Sequence, residues 1–98
     1  MNSVGFIYNE IINNLRQACY DHIKDLISAD ELQQMVYRAE VAIIALEEKD
    51  VRDMMMDTEG KLESIKFTVE EDQQANETRK VAEKLLSWLD NRERGIVS

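Results

Sequence analysis

The chain has 98 residues and a formal net charge of −8, with 12 Lys and Arg against 20 Asp and Glu. It has no proline, three glycines and one cysteine, which argues against a turn-rich β fold and excludes a disulfide within the chain. Both halves are acidic and lack a cluster of Lys and Arg, so the chain does not fit a nucleic-acid-binding protein, which needs a basic surface to displace counterions from phosphates.

The first residues, MNSVGFIYNEII, contain neither a basic region nor a long apolar run. No segment approaches the roughly 20 apolar residues of a membrane span. We therefore expect a cytoplasmic protein without a membrane anchor. The length fits one domain over residues 1–98, and the frequent Glu, Lys, Gln, Ala, Leu and Met favour helix.

The first predicted helix covers residues 3–27. Its apolar residues recur at spacings of three and four from Val4 to Leu26, which is typical of one buried helical face. Ser3 is the predicted N-cap.

The second predicted helix covers residues 29–48. The serine and the glutamate of SADE, residues 28–31, form a predicted capping box at its start. Val41 and Ile44 widen the apolar face of this helix beyond what one neighbouring helix would cover. We predict that these two residues touch a second neighbour or a partner chain.

The third predicted helix covers residues 51–71. Its apolar seam starts at Val51 and repeats at steps of four and three up to Val69. The phase continues through DTEG, residues 57–60, which favours a chain break before this helix, at EEKD, residues 47–50. Two alternatives remain: a break at 57–60, and one long helix through both segments.

Three consecutive methionines occupy positions 54–56. A calcium loop centred on Gly60 would need oxygen ligands where the sequence has Met55 and Lys66, so the EF-hand pattern fails. Consecutive helical residues are about 100° apart, so Met55 lies on the seam, Met54 near its edge, and Met56 points away. The cluster is either core filler with one exposed thioether or an adaptable contact surface for another chain.

The last predicted helix covers residues 75–93, with Gly95 as a stop signal. The preceding hydrophilic segment, residues 70–80, is either a loop or an exposed helix. Trp88 in the last helix is either a core residue or an interface hot spot.

Two groups of residues are candidates for chemical sites. Cys19 and His22 lie three residues apart on one helix, but the chain has no other Cys or His to complete a zinc site. The acids between residues 47 and 57 are candidates to bind magnesium from one side of a helix, yet no second set of carboxylates clearly faces them from another helix. A run of acids of this kind is usually a solvated helix face. No catalytic, cofactor-binding or metal-binding residue is predicted, and no cofactor is expected.

The sequence therefore predicts an all-α protein, an antiparallel bundle of three or four helices that dimerises through helical faces. The predicted function is a small acidic non-catalytic binding module: an inhibitor, an immunity- or antitoxin-like protein, a chaperone or an adaptor. Its partner is another protein with a basic or mixed surface, or a second copy. The alternative is a metal-dependent hydrolase of a phosphorylated small molecule that uses the acids of 47–57. The predicted partner-binding residues are Val41, Ile44, Met54, Met56 and Trp88.

Overall fold

The computed structural model describes residues 8–95, and these residues form four α-helices and no β-strand. The helices are α1 (Asn9–Ile23), α2 (Ala29–Ala42), α3 (Lys49–Thr68) and α4 (Glu71–Glu93), with a 3₁₀ turn at Leu46–Glu48 between α2 and α3. The predicted all-α class is confirmed.

Helix α1 ends at Ile23, earlier than the predicted end at residue 27. The cause is Asp25, which takes a left-handed conformation with φ of 63°. The Leu26 N–H then donates to the Asp21 carbonyl at 2.7 Å, the wrapped-back bond that commonly closes a helix. Aspartate tolerates this conformation better than most residues, so no glycine is needed. Helix α1 begins at Asn9, because Tyr8 has a non-helical backbone with φ of −99° and ψ of 59°, so the predicted helix over 3–27 does not continue through residue 8. The predicted Ser3 cap lies outside the described residues.

Helix α2 begins with the predicted capping box. The Glu31 N–H donates to the Ser28 hydroxyl, and the Ser28 N–H donates to the Glu31 carboxylate, both at 3.1 Å. The helix ends at Ala42 rather than at residue 48, because Ile43 turns extended, with φ of −91° and ψ of 96°. Ala45, two residues further, donates its N–H to the Tyr8 hydroxyl at 3.1 Å.

Helix α3 runs without interruption through residues 57–60, which excludes the alternative break at DTEG. The one-long-helix alternative is also wrong, since residues 43–45 are not helical. The break between α2 and α3 covers residues 43–48, so it begins four residues before the predicted segment 47–50 and overlaps the first two residues of that segment. Helix α3 covers 49–68 instead of the predicted 51–71.

The hydrophilic segment 70–80 is mostly helix, because α4 begins at Glu71, four residues before the predicted start. Its residues are good helix formers, and few of them are buried. Beyond the end of α4, Gly95 takes a φ of 78°, as the predicted stop signal requires.

The four helices share one core. Helix α1 packs against α2 and α4, and α3 packs against the same two helices, an arrangement consistent with a bundle. The described part is compact, with extents of 47 × 24 × 22 Å. The buried apolar cluster comes from all four helices and the residue after α2: Ile12, Leu15, Ala18, Cys19, Leu32, Val36, Ala39, Ile43, Val51, Met55, Leu62, Ala82, Leu85, Leu86 and Leu89.

Candidate protein-binding surface

The end of α2 and the residues after it carry a concentration of exposed apolar side chains. Because Ile43 is extended, its side chain and that of Ile44 point to opposite sides of the chain. Ile43 is fully buried, whereas Ile44 is 75% exposed. Val41 is also exposed, and so is Tyr37, which precedes it by one helical turn. The apolar face of α2 is therefore wider than the core needs.

The three methionines of α3 fan out as predicted. Met55 is fully buried in the core, Met54 is half-buried against it, and Met56 is 51% exposed. One thioether thus fills the core and another, at Met56, is available at the surface.

The register between α2 and α3 shows where Met56 lies. The Lys66 Nζ is 2.7 Å from the Asp30 carboxylate, and Gln33 donates to the Glu63 carboxylate at 2.7 Å. As α2 advances, its partners on α3 therefore move towards lower numbers. Positions 56, 59, 63 and 66 share one side of α3, at helical spacing. Continuing this register places Met56 at the level of the end of α2.

We call this surface the α2–α3 face and define it by its exposed apolar residues: Tyr37, Val41, Ile44, Met56 and Phe67. Phe67 lies three turns beyond Met56 on the same side of α3 and is 80% exposed. Soluble proteins expose single apolar residues routinely, but several on one face are typical of a binding surface. The face combines three of the predicted partner-binding residues, Val41, Ile44 and Met56.

Two acidic side chains lie between the apolar residues of the α2–α3 face. The pKa of Glu59 is raised above its ordinary value, first because partial burial disfavours the charged carboxylate. The neighbouring Glu40 adds its negative charge and accepts a hydrogen bond from the protonated Glu59. Among the described residues, the Glu59 Oε2 atom is buried without a hydrogen-bond donor. Among residues 8–95, no Lys or Arg forms an ion pair with Glu40 or Glu59.

The other two predicted partner-binding residues lie elsewhere. Met54 and Trp88 are both half-buried and pack against the core cluster. Met54 is about 200° from Met56 around α3, so the two methionines face different sides of the helix. The sequence reasoning did not select Tyr37 and Phe67. Their signal was helical spacing, since Tyr37 precedes Val41 by four residues and Phe67 follows Met56 by eleven.

Four of the five acids of the 47–57 segment are paired with cations. Asp50 accepts from Arg92 of α4 at 3.2 Å, Asp53 lies 2.9 Å from Lys49, and Asp57 lies 3.0 Å from Lys61. Glu48 is 1% exposed and also binds Arg92. Arg92 therefore joins the start of α3 to the end of α4. Among the residues described, no group of three or more His, Cys, Asp or Glu could hold a metal ion.

Cys19 and His22 lie in surroundings that are typical of residues with a structural role. Burial raises the pKa of the Cys19 thiol to about 12, so the nucleophilic thiolate is scarce at neutral pH. The Nδ1 of His22 donates to the Ile27 carbonyl at 3.1 Å, since a carbonyl only accepts. Its Nε2 lies 2.9 Å from the Thr78 hydroxyl. The histidine ring thereby ties the loop after α1 to α4.

Within residues 8–95, no helix has the length and apolar character needed to cross a membrane. Comparisons of the chain with protein-family models, with curated proteins and with solved structures found no match. The candidate surface therefore depends on the geometry alone.

Proposed function

We propose that this chain is a small acidic, non-catalytic module that binds another protein through the α2–α3 face. The observation that carries the proposal is the exposure of Val41, Ile44 and Met56 on one face while the core is already complete. These side chains do not stabilise the fold while they are in water, whereas a partner that covers them gains the free energy of burying their apolar surface. Its forms are an inhibitor, an immunity- or antitoxin-like protein, a chaperone or an adaptor.

The scaffold of the proposal is an antiparallel four-helix bundle. Arg16, in the middle of α1, pairs with Glu93 at the end of α4, while His22 near the end of α1 meets Thr78 in the first half of α4. The pairs between Asp30 and Lys66 and between Gln33 and Glu63 indicate that α2 and α3 are antiparallel as well. Antiparallel neighbours are what short connections between helices favour.

The proposed partner is another protein with a basic or mixed surface. The net charge of −8 attracts such a surface and repels nucleic-acid phosphates and anionic lipids. A homodimer is the second form of the same proposal, with two helical faces packed together.

The experiment is affinity purification of the tagged full-length chain from native lysate, with partners identified by mass spectrometry. The matched bait carries Val41→Ser and Ile44→Ser, and the control bait carries Leu26→Ser, an equally exposed apolar site after α1. We expect the wild type and the Leu26→Ser bait to recover the same partner and the face variant to lose it. A strictly monomeric protein in light scattering that recovers no partner would count against a binding module.

The hydrolase alternative has its own measurement. Nucleotide substrates are added with increasing magnesium, and phosphate release is followed for the wild type, Asp50→Ala and Asp53→Ala. Turnover that disappears in either variant would replace the binding proposal with the catalytic one. We propose no turnover, because the carboxylates of both residues are engaged by Arg92 and Lys49.

A further inference from the structure

The α2–α3 face has both a shape and a charge pattern that a partner can match. An inference about that partner rests on the proposed function. Met56 and Phe67 are eleven residues apart, about 16 Å along α3 at 1.5 Å per residue. That length equals three turns of a helix lying alongside. A shallow cleft of about 490 Å³, lined by Tyr37, Glu59 and Lys66 among others, opens on the same face.

Some of the charged side chains around this face are already paired within the chain. Lys66 binds Asp30 at 2.7 Å and approaches Glu63 at 3.8 Å. Glu40 and Glu59 differ, because each has the other carboxylate as a close neighbour. Lys66 and Arg38 also line the cleft near Glu59, but among the described residues neither forms an ion pair with Glu59.

The acidic pair Glu40 and Glu59 favours a basic partner over a second copy of the same face. A second copy of the same face would bring its own Glu40 and Glu59 towards the first pair and increase the repulsion. A cationic side chain placed between the two carboxylates would remove the repulsion and give both oxygens a donor. The long apolar stems of Lys and Arg would also cover Tyr37 and Val41.

We propose that the α2–α3 face binds an amphipathic helix of a partner protein, which lays its apolar stripe along Tyr37, Val41 and Met56 and inserts a Lys or Arg between Glu40 and Glu59. This is the helix-in-groove mode, in which apolar residues at helical spacing supply affinity and flanking charges fix the orientation. The adaptable thioether of Met56 suits such a contact.

The test uses a synthetic 18-residue helical peptide with leucines at i, i+3, i+4 and i+7 and lysines flanking the stripe. A matched peptide has the same leucines and glutamates in place of the lysines. Binding to the ¹⁵N-labelled full chain is followed by NMR shift perturbation and by fluorescence anisotropy at two salt concentrations. We expect the basic peptide to perturb residues 37–44 and 56–67, to bind more weakly at high salt, and to bind at least about tenfold more tightly than the acidic one.

Two pairs of variants locate the contact. Val41→Ser is expected to weaken binding of the basic peptide about tenfold, while the control Leu26→Ser leaves it unchanged. The double variant Glu40→Gln and Glu59→Gln is expected to weaken binding about tenfold as well. Its control, Glu77→Gln with Glu83→Gln, removes the same formal charge from α4, so a loss limited to the face pair supports the inserted cation.

Several outcomes would overturn the inference. Equal affinity for both peptides, or perturbation of α1 and α4 instead, would show that the face does not select a basic helix. Dimerisation in light scattering that Val41→Ser abolishes would show that a second copy covers the face. The first two outcomes would leave the proposed function intact if the bait with Val41→Ser and Ile44→Ser still loses a natural partner, and the third would leave it intact in its homodimeric form. A partner that binds elsewhere on the chain, or the absence of any partner, would end both.

Discussion

The α1–α4 contact and the α2–α3 contact use polar groups in different ways. Between α1 and α4, Arg16 pairs with Asp90 and Glu93, and the His22 ring meets Thr78. Between α2 and α3, Asp30 at the start of α2 pairs with Lys66, but Glu40, near the end of α2, lies beside Glu59. The first contact matches opposite or complementary groups within the chain. The second leaves like charges adjacent and apolar side chains in water, and these two features are the basis of the proposed binding surface.

Ile43 and Ile44 sharpen the comparison most strongly, because they are neighbours with opposite exposure. Ile43→Ala should lower the free energy of unfolding by about 3 kcal/mol, since it leaves a cavity in the core. Ile44→Ala should change it by less than about 0.5 kcal/mol, because the side chain is in water. Urea unfolding followed by circular dichroism measures both. Similar losses for the two variants would mean that Ile44 is covered in solution.

Arg92 tests the polar contact at the start of α3. Arg92→Met should lower the free energy of unfolding by about 2 kcal/mol, because the buried Glu48 carboxylate loses its cation. Adding Glu48→Gln to Arg92→Met should recover part of that loss, since no buried charge then remains. The control Arg94→Met changes an exposed residue, so its free energy of unfolding should stay within about 0.5 kcal/mol of the wild-type value. No difference between Arg92→Met and Arg94→Met in thermal unfolding would contradict the structure here.

Gly60 tests the continuity of α3 beside the α2–α3 face. The glycine lies inside the helix, and a Cβ there would meet no atom within 4 Å. Gly60→Ala should therefore raise the free energy of unfolding by about 0.7 kcal/mol through helix propensity alone. Denaturant unfolding of the variant beside the wild type is sufficient. A destabilised Gly60→Ala would indicate that the chain leaves the helical path at DTEG.

Glu59 gives the smallest expected effect and a dependence on pH. Because its pKa is raised in the folded protein, the charged form opposes folding above that pKa, and the opposition disappears as the pH falls through it. Glu59→Gln should therefore stabilise the fold at pH 7 by no more than about 0.5 kcal/mol and should have little effect near pH 4.

The matched control for Glu59 is Glu77→Gln, which removes a carboxylate paired with Lys80 at 3.0 Å. It should not stabilise the protein at neutral pH, because an attraction rather than a repulsion is lost. Thermal unfolding of both variants at the two pH values makes the comparison. Equal behaviour of the two variants would remove the argument for like-charge strain between Glu40 and Glu59.

The local patterns of the sequence were sufficient for most of the secondary structure. The capping box at Ser28 and Glu31 formed as predicted, and the unbroken phase from Val51 to Ile65 indicated a helix that continues through residues 57–60. Exposed methionine followed from the same geometry, since only one of three consecutive helical residues can sit on a narrow seam.

The end of α2 could not be predicted in this way. Residues 43–46 are Ile, Ile, Ala and Leu, with no glycine or proline to mark a break. The helix ends because Ile43 fills the core in an extended conformation and the Ala45 N–H bonds to the distant Tyr8 hydroxyl. Neither event is visible in the local sequence. The early end of α1 at a left-handed aspartate was missed for a related reason, since Asp25 carries no distinctive signal.

The sequence by itself determined that this chain is helical and most of the residues that line the core, because helix periodicity and capping act between residues only a few positions apart. Leu26, on the predicted buried face of the first helix, is instead 69% exposed. Tertiary structure alone decided which apolar side chains stay in water. Val41 and Met56 lie on one face, and Met54 lies on another side of α3, because two helices pack in a particular register. It also brought Glu40 beside Glu59, an unfavourable encounter between residues that are far apart in the chain and adjacent only once α2 and α3 have packed together.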